Sequence, residues 1–363
     1  MVEIDRVAIS AYVVPTVAPE SDGTAEWKET TLVVAELGAA GETGLGYTYA
    51  DTATARLAQD LLAETVRGKD PLDTPALYES MIHAVRNHGR SGVSGMAISA
   101  LDVACWDLKA KLLRVPLAKL LGLRRPKLPA YGSGGFTSLS EAELQRQLGG
   151  WIEQGFSMVK MKVGRDPQRD LDRVRSARKA IGRSAELFVD ANGAYDRKQA
   201  LAFADRFAEV GVTWFEEPVV RTDVPGLRLL RDRAPAGMEI AGGEYGYEPA
   251  DFRVFLEACA LDVVQADATR CGGITGFLRN AALIEAYELP MSSHCAPALH
   301  VALGCAVPAM RHLEWFSDHV RIEQMLFEGA PRPDRGQLQP DLGRAGLGLS
   351  LERTQADKFR VSI

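Results

Sequence analysis

Met158-Val159-Lys160-Met161-Lys162 is a short apolar run that ends on a base. Leu187-Phe188-Val189-Asp190 and Val212-Thr213-Trp214-Phe215-Glu216-Glu217-Pro218 repeat the form with acids at the end, and residues 238–244, 261–267, 289–294 and 312–315 continue it. The interval, roughly 20–30 residues, is what one strand, one helix and two short loops consume. Successive polar groups therefore fall at the same end of successive parallel strands. With residues 128–135 as an additional first strand the count reaches eight, which predicts a closed parallel barrel and not an open sheet.

The linking segments carry helical grammar. Asp166 is placed as an N-cap with Pro167 behind it, Leu171, Val174 and Ile181 share a face, and Gly182 is the stop. Asp196 with Gln199 three residues on forms a capping-box pattern, followed by Leu201, Ala204, Phe207 and Ala208, and Gly211 ends the helix.

Residues 1–125 read differently. Val7 to Val14, Thr31 to Leu37 and Gly44 to Tyr49 predict an antiparallel meander, and 54–65, 75–83 and 93–113 have helical spacing, with Pro116 marking the exit. The expected architecture is α/β: a (β/α)7β TIM-like barrel over residues 126–328, capped by an α+β domain over 1–125, with 329–363 packing back on the cap. The Gly343–Gly348 segment is not a phosphate loop, since no strong strand precedes it and no helix pattern follows.

Composition narrows the function. The chain of 363 residues is 46% hydrophobic and 25% charged, as ordinary globular proteins are. A net charge of −6 with interspersed signs offers no basic stripe for a phosphate backbone, so nucleic acid is not an expected partner. No apolar stretch approaches the roughly 20 residues that span a bilayer, and the start of the chain, with Glu3 and Asp5, lacks a signal pattern, so no membrane association and a cytoplasmic location are expected. Five cysteines without a C-x-x-C pair fit neither a disulfide framework nor a thiolate metal site.

Asp190, Glu216 and Glu244 close three consecutive strands. Singly, each would serve as a helix cap or pair with a lysine. Three carboxylates converging on one point repel one another unless a divalent cation sits between them, and all-oxygen ligation selects Mg²⁺ or Mn²⁺ over zinc. Glu216 is taken as the ligand and Glu217 as lying behind it, because neighbours on a strand point to opposite sides. Asn192, two residues past Asp190, is a candidate contact to substrate or metal-bound water. Lys160 and Lys162, alternating with Met158 and Met161, are expected to face the barrel mouth together, each lowering the other's pKa and a nearby metal ion lowering it further, until a neutral amine can take a proton.

Asp267 and His294 end neighbouring strands. A carboxylate on one ring nitrogen fixes the tautomer and raises the basicity of the other, which suits a general acid/base. Glu314, between aromatics, is expected either to stay protonated and donate to a substrate oxygen or to pair with an arginine such as Arg311. The absence of H-x-H weighs against metal-assisted hydrolysis.

Lys-x-Lys, an acid, Glu-Glu-Pro, Gly-Glu and the Asp and His pair together resemble the enolase superfamily, and within it the mandelate racemase subgroup (the mandelate racemase/muconate lactonizing enzyme family). The resemblance covers the whole chain. It implies Mg²⁺ held by Asp190, Glu216 and Glu244, Lys162 as one base with Lys160 as its partner, His294 with Asp267 as the opposite-face catalyst, and Glu314 hydrogen-bonding the substrate carboxylate. It also implies a homo-oligomer in which a neighbouring subunit can complete the cap. The shared step of such enzymes is removal of the proton α to a carboxylate through a metal-stabilised enediolate. Loss of a β-hydroxyl gives dehydration; return of the proton gives racemisation or epimerisation.

The loop at 19–28 carries acids, hydroxyls and Trp27 suited to a polyol, Tyr47, Tyr49 and Arg90 offer polar contacts, and Ser133 ends the first barrel strand. The expected reaction is dehydration of an acid sugar to a 2-keto-3-deoxy acid. The alternative is a racemase or epimerase of a hydroxy or amino acid, and the remote one a non-catalytic metal-binding barrel, which would have no use for Lys-x-Lys or the Asp and His pair.

Overall fold

A computed structural model describes residues 2–363. Strands β1 (Arg6–Ser21), β2 (Glu26–Ala39) and β3 (Glu42–Tyr49) form the expected meander, and Arg360–Val361 from the C-terminus joins the free edge of β1. Residues 19–28 are not an open loop. Glu20 pairs with Trp27 and Ser21 with Glu26, so the segment is the tip of the β1–β2 hairpin. Asp22 makes this turn by accepting from the backbone N–H groups of Thr24 and Ala25, each at 2.7 Å.

Helix Val93–Leu112 packs across the meander, and small residues allow the close approach: a Cβ on Gly46 of β3 would lie 2.0 Å from the Ala100 carbonyl oxygen. That contact fixes where β3 delivers Tyr47 and Tyr49.

The barrel strands are β4 (Leu128–Gly134), β5 (Met158–Lys162), β6 (Glu186–Asp190), β7 (Val212–Glu216), β8 (Glu239–Gly242), β9 (Val263–Ala266), β10 (Met291–Ser293) and β11 (Met310–Phe316). Each pairs in parallel with the next, and β11 closes on β4 with Phe316 opposite Ser133. The closed barrel with its capping sheet is the architecture the spacing implied. Helix Arg197–Glu209 starts on the expected capping box, whereas the Asp166 side chain makes no capping bond and helix Pro167–Ile181 begins on Pro167 alone. A further helix, Ser317–Leu326, follows the last strand.

Strand alternation sorts the side chains into two sets. Val159, Met161, Val189 and Phe215 face the helices and join the main core, while Tyr131, Met158, Phe188, Trp214, Ala241 and Val263 fill the barrel's interior as a separate cluster. Met158 thus lies on the same face as Lys160 and Lys162 and not opposite them. Two residues of separation preserve the side of a strand, so Met158 is the floor beneath the lysines.

Several buried polar contacts lock the cap to the barrel. Asp102 accepts from the Thr275 hydroxyl at 2.6 Å and its backbone N–H at 2.9 Å, and the Tyr47 hydroxyl donates to Glu323 at 2.6 Å. The C-terminal segment bonds to both parts: Gln337–Leu338 pairs with β4, and the Leu347 N–H donates to Asp107. No helix of the described residues is long and apolar enough to cross a membrane.

Burial pushes the Glu323 carboxyl up to about 8, against hydrogen bonds from Tyr47 and the Ala298 N–H that favour the charged form. A carboxyl raised on folding holds a proton that the unfolded chain releases, so stability is lost as pH climbs from about 4.5 to about 8. Glu323→Gln removes this titration. Thermal unfolding of wild type and variant is expected to diverge by on the order of 3 kcal/mol between pH 5 and 8 in favour of the variant. A pH-independent difference would contradict the assignment.

Candidate active site

The floor of the barrel is aromatic, and ions are stacked upon it. Lys160, fully buried, lies 5.3 Å above the Tyr131 ring and reaches both oxygens of Glu216 at 2.7 and 2.8 Å, Glu314 at 2.9 Å and Asp190 at 3.9 Å. Trp214 of the floor donates its Nε1–H to Glu216 at 3.0 Å. Burial alone would strip the Lys160 proton, but Glu216 and Glu314 hold its pKa well above the ordinary lysine value. The lysines do not sit side by side at the mouth: Lys160 is beneath, and Lys162, one layer up, forms an ion pair with Asp190 and lines the open cavity. Lys162 is also held charged, burial being outweighed by Asp190. Lys160 does lower Lys162 as expected, but Asp190, Glu244 and Glu216 around the amine outweigh it.

Asp190 and Glu216 end β6 and β7, whereas Glu244 lies past the end of β8, carried inward by Gly243 at φ +117°. The three acids offer oxygens that all lie within 4.8 Å of one another. Burial, then repulsion from Asp190, pushes the Glu216 carboxyl well up. Glu244 Oε2 is buried without a hydrogen-bond partner among the described residues. An orphaned oxygen beside two crowded carboxylates fits a hard divalent cation. A second cluster, His294, Cys295 and Glu314, has the same span but mixed donors. Its carboxylate is already taken, so it suits a hard cation poorly.

On the other side, His294 Nδ1 bonds Asp267 at 2.7 Å and its Nε2 lies 3.5 Å from Glu244. Asp267 is held well below the usual carboxylate range: burial opposes ionisation, but His294, His300 and Arg270 outweigh it. Cys295 and Ala296 follow in succession with φ of 49° and 41°, a left-handed pair that costs on the order of 1–3 kcal/mol per residue. That turn aims the Cys295 N–H at Glu314, 2.6 Å away. Glu314 also accepts from Ser133 at 2.6 Å. Burial works against its charge, yet Lys160 holds it well below the usual carboxylate range, so it is an acceptor and not the protonated donor expected. Arg311 is not its partner; that side chain forks onto Glu239 at 2.6 and 2.8 Å.

A cavity of about 340 Å³ opens over these groups, lined by Lys162, Asn192, Glu244, His294 and Glu314 below and by the cap above. Trp27 lines it as expected. Ser133 is fully buried against Glu314 beneath the cavity, and Tyr47 is turned away to Glu323, its place at the wall taken by Tyr49. Arg90 pairs with Glu248 at 2.8 Å and does not line the cavity. Tyr47 and Tyr49 are two apart and share one face of β3, their rings 5.9 Å apart, so position along the strand separates them: Tyr49 at its end reaches the cavity and Tyr47 does not.

Sequence reasoning missed Arg270 and His319. Arg270 stands between Asp267 (3.8 Å) and Glu244 (3.7 Å) over the Tyr245 ring, and its position three residues past Asp267 was the available signal. His319 stacks on Tyr49 with ring centroids 3.4 Å apart; it lies beyond the last strand, where no pattern singled it out.

Family models match in two parts: "Mandelate racemase / muconate lactonizing enzyme, N-terminal domain" over residues 7–122 and "Enolase C-terminal domain-like" over 143–355. The chain is 34% identical over 358 residues to 3,6-anhydro-alpha-L-galactonate cycloisomerase of Streptomyces coelicolor, covering 96% of this chain and 98% of that one. It is 32% identical to L-talarate/galactarate dehydratase of Salmonella typhimurium, covering 90% and 85%. A crystal structure of a mandelate racemase/muconate lactonizing enzyme-like protein from Rubrobacter xylanophilus superposes with TM-score 0.97 at 50% identity, covering 99% and 100% of the two chains. The chain belongs to the mandelate racemase/muconate lactonizing enzyme family of the enolase superfamily.

Titration calorimetry with Mg²⁺ probes the acid cluster. Glu244→Gln keeps the shape but removes the charge of the unpartnered oxygen, and is expected to weaken Mg²⁺ binding by about 100-fold. Unchanged affinity would show that the cation is held elsewhere.

Proposed function

We propose that this member of the family removes the proton α to the carboxylate of an acid sugar and expels the β-hydroxyl, yielding a 2-keto-3-deoxy acid. One observation carries the reading: Lys162 and the His294–Asp267 pair face a single cavity from opposite sides of the Asp190, Glu216 and Glu244 cluster. Relatives named as dehydratases of talarate/galactarate, arabinonate, D-gluconate and L-rhamnonate support it. So do neighbours crystallised with magnesium, one of them with L-glucarate.

We assign Asp190, Glu216 and Glu244 to hold Mg²⁺, which when bound polarises the substrate carboxylate and lowers the acidity barrier at its α-carbon. Charge balance then frees Lys162. With its carboxylate partners neutralised, the reason for its raised pKa falls away, and the amine can accept the α-proton. Lys160 stays protonated between Glu216 and Glu314, a fixed positive charge under the developing enediolate. His294 donates its proton to the departing hydroxyl while Asp267 steadies the imidazolium. Asn192, whose Oδ1 is buried without a partner among the described residues, contacts the substrate beside Asp190, and Trp27 covers it from the cap.

Two proton-handling groups on opposite sides also suit a racemase or epimerase, and isotope exchange separates the readings. In D₂O with Mg²⁺, acid sugars are expected to give keto acid by NMR, with Lys162→Ala and His294→Asn each lowering kcat/KM by about 10²–10⁴-fold. Deuterium at the α-carbon with inverted configuration and no keto acid would overturn dehydration in favour of epimerisation.

A further inference from the structure

We infer that the cavity takes a monocarboxylate, a polyhydroxy acid whose far end carries hydroxyls and no second carboxylate. The inference rests on the proposed dehydration, since it names the substrate class for the same cavity.

The cavity is electrostatically two-ended. Its inner end holds Lys162 and Arg270 among the acids; its cap end is walled by Asp22, Glu29 and Asp318, and no Lys or Arg of the described residues lines that end. Two arginines of that region are paired, Arg321 to Asp318 at 2.7 Å and Arg165 to Glu26 at 3.5 Å, and Lys28, between Trp27 and Glu29 on β2, does not line the cavity.

The neutral donors there are committed too. Trp27 gives its Nε1–H to Glu20 at 3.0 Å, the Thr30 hydroxyl donates to Asp318 at 2.5 Å, and the Tyr49 hydroxyl to the His319 carbonyl at 3.3 Å. What remains on the wall is the Thr31 hydroxyl and the His319 ring, which burial and His294 keep neutral. Burial first, and Asp318 second, push the Glu20 carboxyl behind Trp27 up to about 8, against Trp27 and Arg321.

A second carboxylate placed here would lose hydration and meet Asp22, Glu29 and Asp318, of which only Asp318 is paired to a cation, with no Lys or Arg on that wall to receive it. A hydroxyl is in the opposite position. It donates to the same carboxylates and accepts from Thr31 or His319, satisfying both of its roles. The wall therefore discriminates by repulsion at one end while the inner end recruits the reacting carboxylate.

The test pairs C5 and C6 aldonates with aldarates matched at every shared stereocentre, in Mg²⁺, reading keto acid as its semicarbazone. Wild type is expected to favour the monoacid in kcat/KM by about 100-fold, and Glu29→Lys to cut that ratio about tenfold by raising diacid turnover. A diacid used as well as its matched monoacid would overturn the inference. Calorimetric titration of the same compounds into Lys162→Ala with Mg²⁺ reads preference without turnover, and equal or tighter diacid binding would overturn it again. Tighter monoacid binding with no keto acid from any compound would support the inference and count against the dehydration.

Discussion

Buried carboxylates at the barrel mouth repel one another, and the rest of the structure is arranged around that repulsion. Asp190, Glu216 and Glu314 each lie within 3.9 Å of one or both of two lysines, with Glu244 beside Asp190 and Glu216, in surroundings with almost no solvent. Each charge there is tolerable only because an opposite one is fixed beside it. Lys160 serves Glu216 and Glu314 from below, Lys162 serves Asp190, and Arg270 stands by Glu244 and Asp267. Glu244 Oε2 has no hydrogen bond among the described residues, with His294 Nε2 at 3.5 Å, and this is where a cation would complete the balance.

The scaffold makes such a balance possible by layering. An aromatic floor of Tyr131, Phe188 and Trp214 excludes water from below, and Trp214 and Tyr131 also present an N–H and a π face to the ions above them. At the top, left-handed backbone at Asn192, Glu217, Cys295 and Ala296 turns the chain sharply at strand ends. Strain of this kind persists only where packing enforces it, and here it aims side chains and N–H groups inward.

The barrel was legible because its strands repeat a short apolar run ended by a charged residue, a pattern with few structural solutions. The ions were legible because strand alternation places Lys160 and Lys162, or Asp190 and Glu216, on one side. Depth was not legible: alternation gives the side of a strand but not the layer, so Lys160 was expected at the mouth and lies beneath it. Protonation was also missed, since Glu314's aromatic neighbours in sequence suggested an apolar setting, while its neighbours in space are Lys160, Ser133 and the Cys295 N–H. The cap contributed least. Tyr47 and Tyr49 share a face of β3, and alternation does not tell which of the two reaches the cavity, so both were offered where only Tyr49 stands, and Arg270 and His319 lie outside the repeating runs.

The central claim is that Asp190, Glu216 and Glu244 share one divalent cation between Lys162 and His294. Anomalous diffraction from crystals soaked in Mn²⁺, standing in for Mg²⁺, tests it directly. The account predicts one strong peak about 2.1 Å from an oxygen of each of the three acids, with Lys162 released from Asp190. A peak on His294, Cys295 and Glu314 instead, or none at the three acids, would contradict it.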